Sequence, residues 1–142
     1  VTLRGTTRAF RPDVQDAIEA GIRRVTAGID AAHGTTSTVR YERRYPPTVN
    51  TPAEAERAAQ AMRSLVGAAN VHTALPPTMG AEDFAFMLQA RPGAYAWIGN
   101  GPGEGGCVLH NPRYDFNDAI LPLGAAYWVT LVEQELAPNG KA

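Results

Sequence analysis

Hydrophobic and polar positions alternate at the start of the chain and then change to a helical spacing. Over residues 2–10 the alternation is typical of a strand with one polar face. Apolar residues then recur every three or four positions over residues 14–29, which predicts a helix that Gly34 ends. Residues 36–45 return to a strand-like pattern. A strand, a helix and a strand, with the helix on one face of the sheet, predict an α/β lobe.

A stiff boundary separates this lobe from the rest of the chain. Residues 45–50 contain two adjacent prolines, which cannot continue a strand ladder. Thr51 then stands where a helix N-cap is expected, with Glu54 placed for a capping box. Residues 100–106 are predicted to form a mobile loop, because they are glycine-rich but lack the spacing of phosphate-binding loops. The pattern beyond the boundary predicts a short buried strand over residues 94–99 and helices over residues 52–66, 81–90 and 117–136.

The last predicted helix is apolar nearly all round. Such a helix is expected to be buried, because no side of it is suited to water. It would need an apolar sheet to pack against, and this chain supplies little of one. We therefore expect apolar surface to remain uncovered and to favour association or domain swapping.

Composition narrows the class of protein. The chain has 142 residues, 44% of them hydrophobic and 19% charged, which is typical of a globular protein of one domain or two small lobes. Its formal net charge of −1 gives no reason to expect nucleic acid or a membrane surface as a partner. The single cysteine, Cys107, excludes an internal disulfide and favours a reducing compartment, so we expect a cytoplasmic protein. Because the first residue is Val1, we expect a fragment or a processed chain.

His110 is the leading candidate for chemistry, in the segment "LHNPRYDFND" before the last predicted helix. A neutral imidazole is a common metal ligand or general base, and loops carry many functional residues. A solitary histidine is nevertheless more often structural, and no metal-binding motif accompanies this one. His33 and His72 are expected to be solvated, at a helix end and in a connection. Cys107 lacks the local neighbours of a nucleophile, so we expect it to serve in packing.

Two acids and one arginine are further candidates. Glu82 and Asp83 stand at a predicted helix start, where acids complement the helix dipole and cap free N–H groups. The functional alternative is that Gly80 lets a ligand approach the backbone while the acids orient a partner such as a metal-bound histidine. Arg8 shares the polar strand face with Arg4. Most such arginines are solvated, but a planar guanidinium on a rigid strand also suits carboxylate recognition.

Four segments taken together resemble the C-terminal part of the zinc-type metallopeptidase and amidohydrolase family. That family includes hippurate hydrolases, bacterial N-acyl-amino-acid amidohydrolases and the plant hydrolases of auxin–amino-acid conjugates. The resemblance implies an α/β fold in two lobes. Residues 1–47 would be the second half of a small lid or dimerisation domain, and residues 48–142 the closing part of the catalytic domain. The segments follow the family's order and cover almost all of the chain: "LRGTTRAF", "YPPTVN", "MGAEDFAFMLQARPGAYAWIGNG" and "LHNPRYDFNDAILPLGA".

The resemblance also implies roles for individual residues. His110 matches the family's last metal ligand, so a divalent metal (zinc, manganese or cobalt) is expected in the complete enzyme. Arg8 matches the lid arginine that holds the carboxylate of the substrate. Gly80, Glu82 and Asp83 match a segment that lines the active site. Gly80 is therefore expected to contact substrate. The two acids are expected to orient the residues that bind the metal without binding it themselves.

The activity that this resemblance implies is hydrolysis of the amide bond of N-acyl amino acids of the hippurate type. The family's other metal-binding motifs, and the paired glutamates that include its general base, are absent from this sequence. We therefore expect the chain alone to be inactive, and to form a homodimer or to associate with a missing N-terminal part. The alternatives are a non-catalytic dimerisation or binding module and one piece of a clipped enzyme.

Overall fold

The structure, a computed structural model, describes residues 1–101 and 109–136. Within them the chain forms four α-helices and two short 3-10 turns, Ala68–Asn70 and Asp118–Ile120. The sequence pattern predicted all four helices, although the third begins three residues and the fourth four residues later than expected. The helices are α1 (Pro12–His33), α2 (Pro52–Val66), α3 (Phe84–Ala90) and α4 (Leu121–Leu136).

The chain divides into two compact units. The first comprises Val1–Val49 with Pro76–Arg91, and so contains α1 and α3. The second comprises Asn50–Leu75 with Pro92–Ala142, and so contains α2 and α4. The assignment of residues 1–47 to a lid and residues 48–142 to a catalytic domain stays a prediction.

Helix α1 begins and ends with the expected local signals. Pro12 occupies the first turn, where its missing N–H costs nothing. Gly34 follows the last turn in the left-handed conformation (φ 62°), and its N–H donates to Asp30 O. Asp30 also accepts from the hydroxyls of Thr35 and Ser37, at 2.7 and 2.8 Å, which fixes the direction of the chain after the helix.

Ionic contacts hold the segment after α1 against that helix. Arg43 pairs with Asp16 at 2.6 Å and with Glu19 at 2.8 Å. Arg23 donates to Glu19 at 2.8 Å and, through Nη1, to Val39 O at 3.2 Å. The guanidinium groups of Arg23 and Arg43 lower the pKa of the Glu19 carboxyl. Charged side chains at the surface thus join the helix to the following segment.

The predicted strands do not form a hydrogen-bonded ladder in the described residues. A strand exists only where a second backbone segment offers alternating donors and acceptors. Residues 2–10 and 36–45 instead meet through side chains, with Thr7 Oγ1 and Tyr41 Oη 2.7 Å apart. In residues 94–99 a side-chain amide takes the place of a partner strand. Asn50 Nδ2 donates to Tyr95 O at 2.9 Å, and Tyr95 N donates to Asn50 Oδ1 at 2.8 Å.

Helices α2 and α4 pack together in the second unit. The buried side chains of α2 are all alanines: Ala58, Ala59 and Ala61. Such small side chains let neighbouring elements approach closely. Arg57 joins the two helices at their edge, since it pairs with Glu54 at 2.6 Å and with Glu135 of α4 at 3.1 Å.

The predicted capping box at the start of α2 is wrong. Thr51 does occupy the N-cap position, but its side chain makes no capping hydrogen bond. Its N–H donates to Gly93 O at 2.9 Å, and its hydroxyl accepts from Gly93 N at 3.2 Å. Because that N–H is already engaged, Glu54 has no capping partner and pairs with Arg57 instead. A tertiary contact has replaced the local one.

The predicted burial of the last helix is also wrong, since no described residue of α4 is buried. Trp128 is 64% exposed, Val132 53% and Leu136 75%. The expectation that apolar surface would remain uncovered is confirmed, because the described chain offers no sheet to cover this helix. None of the helices in residues 1–101 and 109–136 is long and apolar enough to span a membrane.

Candidate functional site

Arg8 and the segment before α3 lie together in the first unit. The guanidinium Nε donates to Met79 O at 3.1 Å, and Nη1 donates to Thr7 O at 3.1 Å. Two backbone carbonyls thereby fix the plane of the guanidinium. The side chain is exposed, and Nη2 makes no hydrogen bond to any residue that the structure describes. Arg8 is therefore oriented by the protein while donors remain for an anionic ligand.

The predicted wall segment, Gly80 with the two acids, follows directly after Met79. Asp83 N donates to Glu82 Oε1 at 3.0 Å, and Asp83 precedes α3 as its N-cap residue without a side-chain capping bond. A Cβ built on Gly80 would meet Thr78 Oγ1 at 3.6 Å, an ordinary contact. The surrounding space does not require glycine at that position. Substrate contact by Gly80 and support by Glu82 and Asp83 stay predictions.

His110 lies in an exposed turn of the second unit and has an uncommon backbone conformation. Its φ is 69°, which makes it the one non-glycine residue with positive φ in the described part of the chain. Asn111 closes the turn after it, since its backbone O accepts from Tyr114 N at 2.9 Å and its Oδ1 accepts from Arg113 N at 2.8 Å. A left-handed non-glycine residue costs free energy and is concentrated at functional sites. This geometry is an observation in favour of a role for His110.

A pair of asparagines lies beside the turn, and the sequence pattern did not indicate it. Asn117 N donates to Asn100 Oδ1 at 2.9 Å, and Asn117 Nδ2 donates to Asn100 O at 3.0 Å. Asn117 Oδ1 also accepts from Ala119 N at 3.1 Å, which caps the 3-10 turn Asp118–Ile120, whereas the last α-helix itself begins at Leu121, four residues after its predicted start. Asn100 could not be found from local pattern, because its partner is 17 residues away.

The described residues do not build a complete metal site. Residues 1–101 and 109–136 contain no group of three or more histidine, cysteine or acidic side chains that could hold a metal ion. A hydrolytic centre needs about three protein ligands. The exposed imidazole of His110 fits one of them. Cys107 and most of the predicted loop 100–106 lie outside the described residues.

Comparison with known proteins places most of the chain in one family. Residues 6–134 match the model of peptidase family M20/M25/M40. The chain is 36% identical to the putative amidohydrolase YhaA of Bacillus subtilis over 119 residues, covering 82% of this chain and 30% of that protein. It is 28% identical to the hippurate hydrolase of Campylobacter jejuni over 130 residues, covering 92% of this chain and 33% of the relative.

A plant relative shows the same partial coverage. The chain is 32% identical to the IAA-amino acid hydrolase ILR1-like 6 of Arabidopsis thaliana over 142 residues, covering 96% of this chain and 30% of that protein. The chain thus spans about a third of the length of these relatives. No solved structure matches it. The family match extends over nearly the whole sequence and confirms the resemblance: the chain belongs to peptidase family M20/M25/M40.

Proposed function

We propose that this chain is the C-terminal portion of a metal-dependent amidohydrolase that cleaves the amide bond of N-acyl amino acids. The observation that carries the proposal is the family match over residues 6–134. Relatives named as an amidohydrolase, a hippurate hydrolase and an IAA-amino acid hydrolase support the substrate class. Membership of the family implies an α/β fold, in which we assign residues 1–47 to the lid and residues 48–142 to the catalytic domain.

Arg8 would hold the free carboxylate of the substrate. Its Nε and one Nη1 proton are engaged by the carbonyls of Met79 and Thr7, which orient the guanidinium before any ligand arrives. The remaining donors suit a carboxylate, because N–H groups of a guanidinium match two carboxylate oxygens in charge and spacing. Gly80 follows Met79, whose carbonyl orients Arg8. The backbone of Gly80 would contact the backbone of the substrate.

His110 would supply one ligand to a divalent metal, for which zinc, manganese and cobalt are the candidates. Such a metal supplies Lewis-acid activation in amide hydrolysis. The other ligands and the general base would come from outside this sequence, and Glu82 and Asp83 would support the site without binding the metal. The left-handed backbone of His110 supports the assignment, because strain of this kind persists where the surrounding structure holds a functional residue.

Hydrolysis of hippurate with added zinc, manganese or cobalt tests this function in the complete protein. We expect turnover by the complete protein and none by the 142-residue chain alone. The variant His110→Asn removes the imidazole but keeps a residue that tolerates positive φ, so activity and metal affinity should fall without a large loss of stability. An inactive complete protein, or substantial turnover by the isolated chain, would contradict the proposal.

The exposed apolar stripe of α1 favours association as a second role. Val14, Val25 and Ile29 are 43%, 61% and 55% exposed on one face of that helix. We propose that this face is covered in a homodimer or by another part of a longer protein. Light scattering after size-exclusion chromatography separates the two: a stable dimer of the isolated chain favours a dimerisation module, whereas a monomer that binds an N-terminal segment favours one piece of an enzyme.

A further inference from the structure

We propose that Asn100 and Asn117 are positioning residues for His110. The inference rests on the proposed role of His110 as a metal ligand. The inference arises from two hydrogen bonds between Asn100, just before Gly101, and Asn117. His110 lies between these two asparagines in the sequence. Neither asparagine would touch the metal or the substrate. Each would act by fixing the backbone from which the imidazole projects.

The pair makes three hydrogen bonds that tie the two ends of this segment. Asn100 Oδ1 accepts from Asn117 N at 2.9 Å, Asn100 O accepts from Asn117 Nδ2 at 3.0 Å, and Asn100 Nδ2 donates to Asp115 O at 3.1 Å. Both bonds between the asparagines are only partly exposed to water. Asn100 therefore holds the backbone at two positions, 115 and 117, rather than one.

The backbone of Gly101 lies close to the side-chain amide of Asn117. A Cβ built there would lie 3.3 Å from Asn117 Nδ2, and the glycine has φ 76°. A side chain at this position would therefore push the amide away as well as strain the backbone. The absence of a side chain lets the Asn117 amide lie close to the backbone of Gly101.

His110 needs such support because its turn is small. The turn has two hydrogen bonds of its own in the described residues, both made by Asn111, and its first residue is left-handed. Groups that hydrogen-bond directly to metal ligands commonly change metal affinity 10- to 100-fold when they are lost, although they touch no metal, and we expect anchoring of the adjoining backbone to act at the lower end of that range. The asparagine pair is the described contact that could carry this role for His110, since it anchors the chain directly after the turn.

The variant Asn117→Asp separates this role from helix capping. Aspartate keeps an oxygen to accept from Ala119 N, so the cap of the 3-10 turn before α4 remains. It loses the Nδ2 donor and places a carboxylate oxygen against Asn100 O. Asn70→Asp is a matched control, because Asn70 Nδ2 also donates to a backbone carbonyl, Val66 O at 2.8 Å, away from this segment.

The test measures the dissociation constant for Zn²⁺ in the metal-free complete enzyme, by competition with a chromophoric chelator, together with the thermal midpoint. We expect Asn117→Asp and Asn100→Asp to weaken Zn²⁺ binding by about tenfold or more with little change in the midpoint. Asn70→Asp should leave Zn²⁺ affinity within about twofold of the wild type. A loss of midpoint without a loss of affinity would mean a structural role only, and would overturn the inference.

His110→Asn makes the two possible failures distinguishable. If this variant weakens Zn²⁺ binding and both asparagine variants leave it unchanged, the positioning role is wrong and the proposed function stands. If His110→Asn itself leaves Zn²⁺ affinity unchanged, the ligand assignment fails and the positioning role fails with it. Should Asn117→Asp not fold, Asn100→Asp decides, because it keeps the acceptor for Asn117 N and replaces the donor to Asp115 O with a carboxylate oxygen.

Discussion

Replacing Arg8 should weaken the binding of carboxylate substrates and do little else. The guanidinium donates to Met79 O and Thr7 O, each at 3.1 Å, and remains exposed. Truncation to alanine would leave both carbonyls accessible to water, so the stability of the protein should change by less than about 0.5 kcal/mol. Any larger effect on catalysis would therefore report contact with substrate rather than damage to the fold.

The expected loss of substrate binding follows from the strength of a hydrogen bond made by a charged donor. A hydrogen bond to a charged group contributes about 1.5–3 kcal/mol. Arg8→Ala should accordingly raise KM for hippurate by roughly 10- to 150-fold, since about 1.4 kcal/mol corresponds to a factor of ten. Arg8→Lys should recover only part of this, because one ammonium cannot bind both Met79 O and Thr7 O while presenting two N–H groups to a carboxylate.

The assay compares initial rates on hippurate with initial rates on its carboxamide analogue. The carboxamide removes the negative charge and keeps the scissile amide, so Arg8→Ala should raise KM for hippurate and leave KM for the carboxamide nearly unchanged. Arg4→Ala is the matched control, an exposed arginine four residues earlier. Unchanged kinetics in Arg8→Ala, or equal losses on the two substrates, would refute the anchoring role.

Two further predictions concern the first unit. Gly34→Ala should lower the free energy of unfolding by about 1 kcal/mol, because Gly34 has φ 62°. Gly28→Ala, inside α1, should instead raise the free energy of unfolding by about 0.5–1 kcal/mol. Urea denaturation compares the two variants, and equal effects would contradict the conformational argument. Arg23 and Arg43 hold the pKa of Glu19 below its ordinary 4.5, so its contribution to stability is present above that value and is lost as pH falls through the folded pKa. Glu19→Gln should therefore reduce the loss of stability between neutral pH and pH 3, measured as the urea midpoint, and an unchanged pH dependence would argue against these ion pairs.

Local sequence signals were sufficient for the helices. Pro52 at the start and Gly67 at the end of α2 predicted its bounds, because the conformations that these residues favour do not depend on distant contacts. Although α3 and α4 begin three and four residues later than predicted, the end of α1 at Gly34 followed in the same way. In each case the decisive contact lies within about one helical turn of the signal.

Predictions that needed a distant partner were less successful. The alternating pattern of residues 2–10 is suited to a strand, yet a ladder requires a second backbone that the described chain does not provide. Thr51 was expected to cap α2 through its own neighbours, but Gly93 engages its N–H from 42 residues away. The all-round apolar pattern of α4 indicated burial, yet its apolar side chains are exposed, in agreement with the expectation that this chain supplies too little sheet to cover them.

The sequence by itself determined the family, the helices and the identity of the candidate residues, because these depend on residue type and short-range spacing. Tertiary structure alone decided how particular residues are held: Arg8 by the carbonyl of Met79, and Asn117 by Asn100. Neither contact leaves a periodic trace in the sequence, since its partners are 71 and 17 residues apart. Hydrogen bonds over such separations form only after the chain has folded back on itself.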